Sequence, residues 1–165
     1  MLAKLLIALL VLAGLGLAVR LYMSQPDQDR LRSGEAVVIR DLRDPIPGNA
    51  FLACPPDYCA ATAAPSPVFA LPVDILAQRW ADLLANEPHV VIATSNPAQH
   101  RLVVIQHTPL LRFPDVITAE FVPLGADKSS LAVYSRSRYG RGDFGTNRKR
   151  VLAWLDRLQQ ITKPP

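Results

Sequence analysis

Between Pro88 and Arg138 four strand-like runs follow one another, at residues 89–95, 100–107, 115–122 and 130–138, with only short connections between them. This succession constrains the fold more than any other feature of the chain. Parallel neighbours need a crossover of a dozen or more residues, usually helical, and there is no room for one here. Successive strands joined by short turns pair antiparallel with their neighbours in sequence. Asn96-Pro97 and Gly125-Ala126-Asp127 supply turn chemistry at two of the joints. The expected sheet is an antiparallel four-stranded meander.

Two amphipathic segments frame it. "LPVDILAQRWADLLANEP" places Val73, Leu76, Trp80, Leu83 and Leu84 on one helical face, with Pro72 suited to the first turn and Pro88 limiting the end. "NRKRVLAWLDRLQQI" places Val151, Trp154, Leu155, Leu158 and Ile161 on another. Two apolar helix stripes and one apolar sheet face bury each other in an α+β fold, a meander flanked by two helices. Both tryptophans read as core. Upstream, residues 49–67 are rich in Pro and Ala and read as a loop. Residues 24–47 read as a polar linker with a short strand at 36–40. The expected organisation is a membrane segment at 1–23, a linker at 24–50 and the α+β domain at 51–165.

Half of the residues are hydrophobic, and the excess lies at the N-terminus, where residues 5–19 carry no charge. Fifteen helical residues reach about 22 Å, short of the ~30 Å hydrocarbon core. Extension to Met23 nearly closes the gap if Arg20 snorkels to the interface. A cleavable signal peptide and an uncleaved anchor both fit Lys4 followed by an apolar run. The poor cleavage site at Gly16-Leu17-Ala18 favours the anchor, a single-pass transmembrane helix. Arg20, Arg30 and Arg32 argue for a cytoplasmic C-terminal side. The short basic tail before the apolar run argues for export, and export to the periplasmic side of the inner membrane is the expectation carried forward. It predicts a disulfide between Cys54 and Cys59.

Net charge is +4, and Lys4 and Arg20 of the apolar segment supply two of these charges, so global charge does not point to nucleic acid. The positive charge is local. "YSRSRYGRGDFGTNRKR" sets Arg136, Arg138, Arg141, Arg148, Lys149 and Arg150 against Asp143. The bland reading of such a run is a solvated face. Strand alternation separates Leu131, Val133, Ser135 and Ser137 from Ala132, Tyr134, Arg136 and Arg138. Gly140, Gly142 and Gly145 then permit a turn, and Thr146 or Asn147 is the expected helix cap. Arg148, Lys149 and Arg150 would fall in the first helical turn, where each cation opposes the helix dipole by about 0.3–1 kcal/mol. A negative partner is required. Asp143, Asp115 and an anionic ligand are the candidates. Two expectations follow. Arg138, Arg141, Arg148 and Lys149 surround an anion site, and Asp115 forms a structural ion pair with Arg136 or Arg138.

The segment "SRSRYGRGDFGTNRKRVLAWL" resembles the C-terminal signature of the domain of unknown function 1499 family. "LLRFPDVI" is similar to that family's Phe-x-Asp segment. "CPPDYCAA" is similar to its cysteine element, with Tyr58 where the family usually has Asn. The resemblance spans about residues 51–161 and implies an envelope-type protein of bacteria or organelles. It implies no activity, since the family has none established.

Other constellations carry less. His89, His100 and His107 do not have a metal-ligand spacing, and no metal is expected. Ser135 and Ser137 have no histidine base placed beside them. No glycine motif matches a phosphate or dinucleotide loop, and no cofactor is expected. The functional expectation is a membrane-anchored, non-catalytic envelope domain that binds an anionic small molecule, a lipid headgroup or an acidic protein. The alternative is a structural or assembly subunit with no ligand, and an enzyme comes third.

Overall fold

The computed structural model describes residues 1–23 and 37–163. Helix α1, Leu2–Met23, is 22 residues long with no buried side chain. At 1.5 Å per residue it reaches about 33 Å, and it is long and apolar enough to cross a membrane. The remaining described chain folds around one sheet. In order it comprises β1 (Ala50–Cys54), β2 (Ala64–Pro65), β3 (Val68–Phe69), α2 (Val73–Ala85), β4 (Val90–Asn96), β5 (Arg101–His107), β6 (Pro114–Gly125), β7 (Lys128–Ser137) and α3 (Thr146–Ile161).

The four strands read from the pattern are present and pair antiparallel as β4-β5-β6-β7. The sheet is nevertheless larger than the expected meander. It has seven strands in the order β2-β1-β7-β6-β5-β4, with β3 also on β7. The stretch read as a loop at 49–67 contains β1 and β2. Strand β1 runs antiparallel to β7, and only the two-residue β1–β2 pairing is parallel. The short strand expected at 36–40 is not there over its described part, where Ile39–Asp41 forms a 3-10 turn. Ala36 lies outside the described residues. Ile39, from the segment read as linker, is fully buried.

Register decides which face each side chain meets. Opposed residues share a face, so Ala53, Leu102, Val104, Ile117, Ala119, Phe121, Leu131 and Val133 line one side. Leu76, Trp80, Leu83 and Leu84 of α2 and Val151, Trp154, Leu155 and Leu158 of α3 close over that side in one core. The Trp80 and Trp154 rings meet edge to face, with centroids 5.9 Å apart. Each buried Leu or Val contributes about 1.5–3 kcal/mol relative to exposure, so the α3 stripe alone holds that helix firmly. Ile161, expected on the stripe, is instead exposed one turn beyond its buried part. On the opposite face Leu52, Cys54, Ala132 and Tyr134 pack with Ile39 and Ala61 in a second, smaller cluster.

Candidate functional site

The signature segment lies where β7 ends and α3 begins. Ser135 and Ser137 are on the helix-facing side of β7. Ser137 stands opposite Asp115 of β6, and Asp115 stands opposite Gln106 of β5. The first two turns of α3 cover this polar end of the apolar face. Arg150 reaches down into it with its side chain only 8% exposed, against 5% for Asp115. Its Nη2 donates to Asp115 Oδ2 at 2.5 Å, its Nε to Gln106 Oε1 at 2.5 Å, and its Nη1 to Asn147 Oδ1 at 2.7 Å and Ser135 Oγ at 3.1 Å. Ser135 Oγ donates to Asn147 Oδ1 at 2.5 Å.

Asn147 is fully buried and joins this cluster to the chain before β1. Its Nδ2 donates to the Asn49 carbonyl at 2.9 Å and to Ser137 Oγ at 3.2 Å. Asn49 answers with its own amide group, which donates to the carbonyls of Ser137 (3.1 Å) and Gly140 (2.8 Å). Helix α3, β5, β6, β7 and the entry to β1 are therefore cross-bonded through seven side chains. A buried charge pair holds better when its other hydrogen-bonding groups are also filled, as Nε and Nη1 of Arg150 are here.

The loop between β7 and α3 turns through two left-handed glycines, Gly140 (φ +86°) and Gly145 (φ +77°). Neither Thr146 nor Asn147 caps α3, as the sequence suggested. Gly145 takes the cap position, and the capping side chain comes from Asp143. One carboxylate oxygen accepts from the Gly145 amide at 2.9 Å and the other from the Asn147 amide at 2.7 Å. Partial burial opposes ionisation of Asp143. The two amide bonds outweigh it and hold the carboxyl below its ordinary value. The helix end where an anion was expected to meet free amides is thus served by the protein's own carboxylate.

The expected pairing of Asp115 with Arg136 or Arg138 is corrected to Arg150. Asp115 faces Ser137, so Arg136 and Arg138 project from the other side of the sheet. The missed residues were legible in helical spacing. Arg150 precedes Trp154 by one turn and Asn147 precedes Val151 by one turn, so both fall on the buried stripe of α3. Of the four residues assigned to an anion, Arg141, Arg148 and Lys149 are exposed and Arg138 is half-buried. Arg148 sits over the Phe51 ring at 5.4 Å and Arg138 over Tyr139 at 5.9 Å. Two hollows found among the described residues lie elsewhere. One, of about 270 Å³, is lined by Cys54, Pro55, Pro56, Cys59 and Pro65. The other, of about 360 Å³, lies between the C-terminal turns of α2 and α3.

A second polar cluster occupies the opposite face. Glu120 is 3% exposed. Its Oε1 accepts from Arg101 Nη2 at 2.8 Å and Nε at 3.1 Å and from the Ile39 amide at 3.2 Å, and its Oε2 accepts from the Tyr58 hydroxyl at 2.9 Å. Burial raises the Tyr58 pKa and keeps that donor protonated. Arg40 donates to the same hydroxyl at 3.3 Å. Cys54 and Cys59, on either side of this tyrosine, are disulfide-bonded, with Cα atoms 6.2 Å apart.

Chemically the helix-side cluster positions and holds. The carboxylate is neutralised by a guanidinium, and the Ser135 hydroxyl is bonded to Asn147 and Arg150. No curated protein and no solved structure matches the chain. A family model described as protein of unknown function (DUF1499) matches residues 49–158, from the asparagine that clamps the loop to the last buried leucine of α3. The chain belongs to that family.

Proposed function

We propose that the protein is a single-pass, inner-membrane-anchored domain on the periplasmic side, without catalytic chemistry, that binds anionic groups through the cations of its β7–α3 loop. The observation that carries this reading is how the carboxylates are used. Asp143 serves the helix amides, Asp115 serves Arg150, and Glu120 serves Arg101. Arg141, Arg148 and Lys149 remain exposed around the start of α3 with no carboxylate against them among the described residues. The ligand class is phosphate-like or carboxylate, held by side-chain charge, with Arg138 at the rim. Binding through exposed cations is weak and falls with added salt. Calorimetry of the full chain in nanodiscs of neutral lipid against inorganic phosphate at low salt should give a millimolar site. Arg148→Glu with Lys149→Glu should abolish it without lowering the unfolding midpoint, since both positions lie off the buried stripe and acids suit the positive end of a helix.

A second reading, a structural or assembly domain with no ligand, is favoured by the buried Asp115–Arg150 cluster, which uses five residues of the signature to hold the fold. Absence of anion binding at millimolar concentration would leave this reading standing. Orientation is tested separately, by C-terminal reporter fusions that should be active only outside the cytoplasm.

A further inference from the structure

We infer that the end of the sheet carrying the β5–β6 turn and the β7–α3 loop is a membrane-contacting surface, with Leu110 and Phe144 entering the same bilayer that α1 crosses. The inference rests on the reading of α1 as a membrane span. Strand β5 ends, β6 begins and β7 ends at this edge, so the two connections are neighbours. The Arg138 amide donates to the Pro114 carbonyl at 3.2 Å, and the Phe113 and Tyr139 rings lie 6.2 Å apart. From this shared base two apolar tips project. Leu110 is 76% exposed and Phe144 is 102% exposed, the fullest exposure of any large apolar side chain among residues 37–163.

Three observations point to lipid. Phe144 has φ +53° and Arg112 at the other tip has φ +62°, a region that bulky side chains adopt only at a cost. A conformation of that kind holding an aromatic ring in water contributes nothing to the isolated domain, and it presents the ring to something outside it. Next, the last turn of α1 meets this end of the sheet. Arg20 Nη1 donates to the carbonyls of Pro109 (3.1 Å) and Leu110 (2.6 Å). The tips therefore sit where the anchor leaves the hydrocarbon. Finally, the surround has interfacial chemistry. Tyr139 is half-exposed with Arg138 over its ring, Arg112 stands beside His89, and Arg141 is exposed. Aromatic rings with a polar edge and cations concentrate at the headgroup level. An apolar side chain ringed by such groups lies about 5–10 Å into the boundary with the acyl chains, the depth at which interfacial apolar faces settle.

The test is depth-dependent fluorescence quenching of the full chain in nanodiscs containing brominated lipid. Leu110→Trp and Phe144→Trp each add an exposed reporter, while Trp80 and Trp154 remain in the core and set the background. Leu124→Trp, on the β6–β7 hairpin at the far end of the sheet, is the control. The expected result is loss of reporter emission at 110 and 144 and none at 124. A parallel carbonate extraction separates the two levels of the reading. Release of the chain by carbonate overturns the membrane span and the inference with it. Retention without quenching at 110 and 144 overturns the inference alone. Unquenched tips that cross-link between two chains through cysteines placed at 110 and 144 would assign the surface to a second copy instead.

Discussion

The two faces of the sheet each bury one carboxylate beside one arginine, yet they are built in different ways. On the helix side Asp115 and Arg150 are both almost wholly enclosed, and the groups around them come mainly from one short run of sequence at the end of β7 and the start of α3. On the other side Glu120 is equally enclosed, but Arg101 keeps 17% of its side chain in contact with solvent, and the remaining donors come from Ile39 and Tyr58, far away in the chain. The first cluster fixes the closing helix to the sheet. The second fixes the segment around Ile39 and the cysteine loop to it. A charge that keeps a path to water loses less when its partner is removed than one sealed under a helix. The two pairs should therefore differ in how much of the fold they hold and in what happens when each is broken.

The largest effect should follow Asp115→Ala. The Arg150 guanidinium would be left buried with only neutral acceptors, which typically costs about 3–5 kcal/mol. The denaturation midpoint of the domain should fall steeply, and α3 should lose hydrogen-exchange protection together with the core. Replacing both partners, as Asp115→Leu with Arg150→Met, should restore much of the loss because no uncompensated charge remains. A midpoint unmoved in the single variant would remove this pair from the account of stability.

Glu120→Ala should cost less, about 1–3 kcal/mol, since Arg101 can turn to water while the Ile39 amide and the Tyr58 hydroxyl lose their acceptor. The loss should also be local. Exchange protection should fall first at Ile39 and in β1, with α3 still protected. Equal global destabilisation by the two alanine variants would show that the faces do not differ as argued.

Much of the helix-side cluster could be read from the sequence, and its wiring could not. The strands β4 to β7 and both stripes were visible because their periodicity is local. Asp115 shares alternation with Ile117, Ala119 and Phe121, so it belongs to the apolar face and meets the helices rather than Arg136 or Arg138. That signal competes with the intuition that arginines close in sequence answer a nearby acid, and the alternation wins. Strands β2 and β3 have two residues each and carry no period at all. Strand β1 is placed by pairing with β7 some eighty residues away, and no local pattern reports such a contact. The Glu120 cluster is illegible for the same reason, since four of its groups converge only through the sheet.

The smallest effect concerns the cap, and it decides how the cations of the signature are balanced. Asp143 places a negative charge at the positive end of α3 while satisfying two amides there, and Arg148 and Lys149 oppose that end. Asp143→Ala should cost about 1 kcal/mol, within the range for loss of a capping side chain and limited by the exposure of the site. Adding Arg148→Ala and Lys149→Ala to that variant should recover part of the loss, because the repulsion between those cations and the positive helix end would be gone. The pH dependence has a fixed sign. The folded-state pKa of Asp143 lies below its ordinary value of 3.8, so the unfolded chain takes up the proton first as pH falls. The contribution of the cap is complete above that ordinary value and is lost as pH falls through the folded-state value. Wild type and Asp143→Ala should then differ most in midpoint near neutral pH and converge in strong acid. A constant difference between them across that acid range would show that the carboxylate charge plays no part in capping α3.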